Sequence, residues 1–182
     1  MLRRDFRGKP LCQRALVVSL VSSVLSGLVA CANLPGTTYG TYGVTGTLGS
    51  NTCGPGIAAP DPWEFIVLLS KSGTTLYWSW MDGSPLLSGP VNVSGGATLT
   101  AFEVDNVDTR DGGVQGPCDL QRNDEIDLTL AEGTPPASFE GTVSYAFSVQ
   151  VGADCNDQLA GSGGMYSRLP CSVSYTLSGT HQ

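Results

Sequence analysis

The sequence predicts an all-β domain: an eight-stranded antiparallel meander closed into a barrel, with a two-sheet β-sandwich as the alternative packing of the same strands. Three observations carry this. From Phe139 to Val151 two faces alternate strictly over thirteen positions, with Phe139, Gly141, Val143, Tyr145, Phe147, Val149 and Val151 on one of them; this is the period of a strand with one buried side. Seven further runs have strand character, and none shows a 3.6-residue period. Turn signals such as Ser72-Gly73, Ser94-Gly95-Gly96 and Pro135-Pro136 separate runs, so consecutive strands are joined by short links. Closing such a meander into a barrel removes the edges that an open sheet would expose.

Ahead of the domain, residues 1–30 read as a secretory signal peptide. Arg3, Arg4, Arg7, Lys9 and Arg14 make a cationic n-region, Ala15 to Ala30 a sixteen-residue apolar stretch, and small residues a cleavage zone. A membrane-spanning helix needs about 20 apolar residues, and this stretch is shorter and broken by Ser19, Ser22, Ser23, Ser26 and Gly27. Arg3-Arg4-Asp5-Phe6 looks like the core of a twin-arginine export motif, but Arg7 stands where that motif prefers Leu, so general secretion is the expected route.

The apolar stretch ends in Leu28-Val29-Ala30-Cys31, which resembles the lipobox of bacterial lipoproteins. The resemblance implies cleavage before Cys31, acylation of its sulfur by palmitate-like chains and anchorage in the cell envelope. Ala32 in the following position, where Asp would signal inner-membrane retention, points to the outer membrane. Several acyl chains bury far more CH₂ than one, so such an anchor is effectively permanent. Ordinary signal-peptidase cleavage is the alternative, since Ala30-Cys31-Ala32 also has the A-x-A form.

Residues 31–41 then read as the lipidated cysteine and a small, turn-prone tether, leaving 42–182 as a single barrel domain. The expected strands are Tyr42–Ser50, Trp63–Ser70, Thr74–Trp80, Leu86–Val93, Ala97–Val104, Leu120–Leu130, Phe139–Val151 and Val173–Ser178. Gly40-Thr41-Tyr42 opens the first of them and resembles the G-x-W motif of lipocalins, with Tyr in place of Trp and no Arg in the last strand to pack on it. This resemblance implies a calycin-like barrel with an open mouth.

With Cys12 in the leader and Cys31 acylated, Cys53, Cys118, Cys155 and Cys171 remain. An even number in an oxidising compartment implies two disulfides. If the strands run alternately up and down, all four cysteines fall at the end away from the tether. Bridged Cα atoms must lie within about 7 Å, which favours Cys118 with Cys155, and Cys53 with Cys171 across the seam between last and first strands. The competing arrangement joins Cys155 to Cys171 and Cys53 to Cys118. A zinc site has no C-x₂-C pair to build on.

The same alternation puts the long connections, 51–62, 81–85, 105–117 and 152–170, at the distal end, where Asp-rich loops make an acidic mouth. Beyond the leader, Lys71, Arg110, Arg122 and Arg168 face fifteen carboxylates, a net charge of −11, which argues against a nucleic-acid partner. Asp105, Asp108 and Asp111 could offer oxygen ligands to Ca²⁺, but their three-residue spacing is not that of a calcium loop and a solvated acidic loop is the preferred reading. Trp63, Trp78 and Trp80 either pack the core or line a ligand site.

Catalysis has little to build on. The only His, His181, lies one residue from the C-terminus, where disorder is expected, and no nucleophile elbow, phosphate loop, cofactor motif or H-E-x-x-H occurs. The expected function is therefore that of a lipid-anchored, non-catalytic module of the cell envelope, binding a small apolar or cationic molecule or serving a structural role. The alternatives are an adhesion or assembly module with a solid core, and a hydrolase of envelope polymers acting through paired carboxylates.

Overall fold

The computed structural model describes residues 34–81, 84–107 and 118–182. The signal peptide and the lipobox with Cys31 lie outside them, as do Asp108 and Asp111 of the acidic loop. Eight strands follow one another: β1 (Thr37–Asn51), β2 (Trp63–Ser72), β3 (Thr75–Trp80), β4 (Leu87–Pro90), β5 (Gly96–Asn106), β6 (Asp119–Leu130), β7 (Ser138–Val149) and β8 (Cys171–His181). Each pairs antiparallel with the next, and β8 returns to β1, so the sheet is a closed barrel in meander order. Two 3-10 turns, Asn156–Gln158 and Ala160–Ser162, lie between β7 and β8.

Alternation decides which side chains fill the barrel. Tyr42 and Val44 from β1, Val67 and Leu69 from β2, Leu76 and Trp78 from β3, and Leu99, Ile126, Val143 and Leu177 from later strands are all buried. At the proximal end, where β1 enters, Tyr42 closes the interior. Its hydroxyl donates to the Pro136 carbonyl at 2.7 Å, and its ring meets Phe139 at 5.5 Å and His181 edge-on at 5.2 Å.

Several boundaries differ from the sequence expectation. β1 begins at Thr37, so much of the stretch read as tether is strand, with Thr37 and Thr38 paired to Lys71 and Ser70. Thr and Tyr favour extended backbone, and a bulge at Tyr39, followed by Gly40 at φ +116°, carries the strand past the end of β8. A Cβ at Gly40 would run into the His181 ring. His181 itself is the last residue of β8, paired with Tyr42, its Nε2 2.9 Å from the Tyr39 carbonyl; this sheet pairing overrides the disorder expected of a chain end.

β4 is only four residues long, because Pro90 lacks the N–H that would extend the ladder. Its register with β5 is the single pair Ser88↔Thr100, supplemented by an isolated bridge from Val91 to Ala97. β7 stops at Val149, and Val151, read as inward from the alternation, is fully exposed in a turn ahead of Gly152 at φ +90°.

Both disulfides lie at the distal end in the seam-closing arrangement. Cys53 is joined to Cys171, with Cα atoms 4.9 Å apart, and Cys118 to Cys155 at 4.6 Å. The first joins the loop after β1 to the start of β8 and the second the start of β6 to the loop after β7.

Candidate functional site

The loop from β1 to β2 is folded back over the distal mouth by its own side chains. Asn51 accepts from the backbone N–H groups of Cys53 and Gly54 at 3.0 and 3.1 Å, and donates to the Gly54 carbonyl at 3.2 Å and the Ile57 carbonyl at 3.4 Å. Asp61 accepts from the Leu48 N–H at 3.2 Å. These local bonds, together with the Cys53–Cys171 bridge, hold Ile57, Ala58 and Pro60 as one wall of a cleft of about 310 Å³.

The opposite walls come from strand ends. Trp63 opens β2, Trp80 closes β3, Tyr145 and Phe147 lie near the end of β7, and Val173 and Tyr175 near the start of β8; all line the cleft with Arg122 and Ser84. Trp63 is the hub: its ring centroid lies 4.2 Å from Phe65, 5.1 Å from Tyr175, 5.7 Å from Trp80 in a stacked arrangement and 6.3 Å from Tyr145. It has room because its partner across the ladder is Gly46, where a Cβ would already touch Leu177, Tyr175 and Trp63. Offset and tilted ring pairs of this kind add to the burial of the rings themselves.

Among the described residues, Arg122 is the one charged side chain on the lining. Its Nε donates to Asp124 Oδ1 at 2.7 Å and its Nη2 to Oδ2 at 2.6 Å, a bidentate side-on pair, and the guanidinium lies over the Tyr145 ring at 4.9 Å. The arginine side chain is 31% exposed and that of Asp124 only 6%. Burial opposes the guanidinium charge, but the hydrogen bond and charge of Asp124 outweigh it, with Tyr145 and Glu103 adding to them, and the pKa of Arg122 is raised. Burial, and then the negative charge of Asp61, pushes Tyr175 up as well, so its hydroxyl stays neutral.

The three tryptophans singled out from the sequence therefore separate. Trp63 and Trp80 line the cleft, whereas Trp78 is wholly buried beneath it, edge-on to Trp80 at 5.3 Å and to Phe139 at 5.5 Å. Asp105 is exposed near the end of β5, and among the described residues no group of three or more His, Cys, Asp or Glu side chains could hold a metal ion. Neither the family models, nor the curated proteins, nor the solved structures compared with this chain match it.

The residues that sequence reasoning missed are Arg122 and Asp124. They occupy the same parity in β6 as buried Leu120, Ile126 and Leu128, so two opposite charges two residues apart point into an apolar interior. That parity was the available signal, because a charged residue is buried only when it is paired. Other hollows of similar size differ in kind. One, about 440 Å³ beside the β4–β5 turn, is lined by Pro90, Asn92, Gly96, Thr98 and Asp127 with few large side chains.

Proposed function

We propose that this chain is a lipid-anchored, non-catalytic binding protein of the cell envelope whose distal cleft takes one small, mainly apolar molecule. The observation that carries the reading is the unequal filling of the barrel. Its proximal half is packed by Tyr42, Leu69, Trp78 and Phe139, all fully or almost fully buried, while the distal half keeps a cleft of about 310 Å³ walled by aromatic rings. Ligand sites are concave, mostly apolar and preformed, with a few polar groups to fix orientation, and barrel mouths are common places for them. Two disulfides suit an oxidising compartment. A chain anchored at Cys31 and entering the barrel at Thr37 would turn this mouth away from the membrane.

The binding reading is tested by titration with N-phenyl-1-naphthylamine, an uncharged fluorophore that brightens in apolar surroundings. Saturable one-to-one binding, lost in Trp63→Ala, is the expected result; emission that rises without saturation, or that Trp63→Ala leaves unchanged, overturns it. The anchor is tested separately by the intact mass of protein purified from membranes. Acyl mass on a chain starting at Cys31, absent from Cys31→Ala, supports it, and an unacylated chain refutes it.

A further inference from the structure

Arg122 carries five N–H donors, of which Asp124 takes Nε–H and one from Nη2 on the side-on edge. The end-on edge, formed by Nη1 and the second N–H of Nη2, has no acceptor among the described residues, and Arg122 lines the cleft. A fork of two parallel donors inside an aromatic-walled hollow calls for an oxygen acceptor on the ligand.

Charge decides what kind of acceptor. Asp124 already neutralises Arg122, and Glu103, paired with Arg122 across the β5–β6 ladder, adds a further negative charge at the rim. A carboxylate on the ligand would therefore place a second anion beside a cation whose charge is spent, and would leave net negative charge in a partly desolvated site. A ligand cation fares no better, because the guanidinium already occupies the face of Tyr145 and would repel it. Resting on the cleft being the ligand site, we infer that it selects an uncharged ligand: a flat, apolar body bearing a carbonyl or similar acceptor oxygen, which is held by the end-on edge of Arg122. Asp124 is the residue that positions the arginine.

Three probes with one body separate the possibilities: 2-naphthamide, 2-naphthoate and 2-naphthylmethylammonium. Binding is followed on the indole N–H signals of the protein's three tryptophans. The amide is expected to bind about tenfold more tightly than either charged probe, because each of those leaves an unbalanced charge in a partly desolvated site, and to shift the signals of Trp63 and Trp80. Tighter binding of the carboxylate or of the ammonium probe overturns the inference while leaving the cleft as a binding site; failure of all three to bind overturns both.

The double variant Arg122→Met/Asp124→Leu removes both charges without stranding either. It should lose about tenfold in affinity for the amide. Unchanged amide affinity would show that Arg122 does not hold the ligand.

Discussion

The Tyr42 hydroxyl is buried with one acceptor, the Pro136 carbonyl, and burial followed by the nearby Tyr39 pushes its pKa from 10.0 up to about 12. The neutral form is thus favoured by folding. Stability from this group is complete below pH 10, the unfolded value, and is lost as pH rises from 10 towards 12. Tyr42→Phe should lower the urea midpoint at neutral pH by an amount worth about 1 to 2 kcal/mol, from a buried carbonyl left without its donor, and should flatten the decline above pH 10. An unaltered alkaline decline would mean that burial of Tyr166 and Tyr175, whose pKa values are also raised, governs it instead. Arg122→Met alone strands the buried Asp124 and should cost about 2 kcal/mol; a fully buried pair costs about 3 to 5, but the arginine is 31% exposed. The double change to Met and Leu should recover most of that loss in the same denaturation experiment. Neither residue stood out in the sequence, because charges invite a solvent-facing reading until their parity with Leu120 and Ile126 is counted. His181 shows the converse: position near the chain end suggested disorder, and only the partner strand reveals its place beside Tyr42.

At the level of the strands, alternation was readable wherever one face was apolar. The run from Phe139 places Val143, Tyr145 and Phe147 inward and departs from the structure at its end, where Val151 keeps the parity but follows the last ladder pair. Local composition places the start of β1 too late, because its first residues are small and turn-prone, and pairing with Lys71 and Ser70 supplies what composition does not. Gly141 on β7 marks a place where two strands leave no room: a Cβ there would meet the backbone carbonyl of Asp127. Gly141→Ala should therefore destabilise by about 2 kcal/mol, as overpacking against immobile backbone does, whereas Gly152→Ala, in open space at φ +90°, should cost only the strain of its backbone conformation. Thermal melts of the two variants would reverse this order if the β6–β7 pair can spread. The disulfides were the other readable feature, since alternating strand direction limits which cysteines can meet. Cys53–Cys171 spans 118 residues and Cys118–Cys155 spans 37. On loop entropy, replacing the first pair by serine should cost about 5 kcal/mol and the second about 4, and guanidinium unfolding of the two variants checks the order.

For the molecule as a whole, periodicity could not choose between barrel and sandwich, because both bury the same alternate residues. The choice is made by the pairing of β8 with β1, a contact between the two ends of the domain for which the intervening sequence holds no local signal. The cleft was illegible for a related reason: its walls come from five strands and two loops, and Trp63 becomes a hub only once Tyr145 and Tyr175 have been brought round to it. The ring of hydrogen bonds that results is uneven. β5 and β6 share eleven paired residues, whereas β4 and β5 share one. A cylinder laced so sparsely along one line has a natural placket there, and thermal fluctuation will part the wall along it at far lower cost than elsewhere. Amide protons of Thr98 and Thr100, which lie on the β4 side of β5, should accordingly exchange with solvent orders of magnitude faster than those of Ile126 and Val143. Slow exchange at both would mean that the narrow fastening holds as firmly as the broad ones. If it parts, a molecule bound at the mouth need not leave by the mouth: the side of the barrel is a second door.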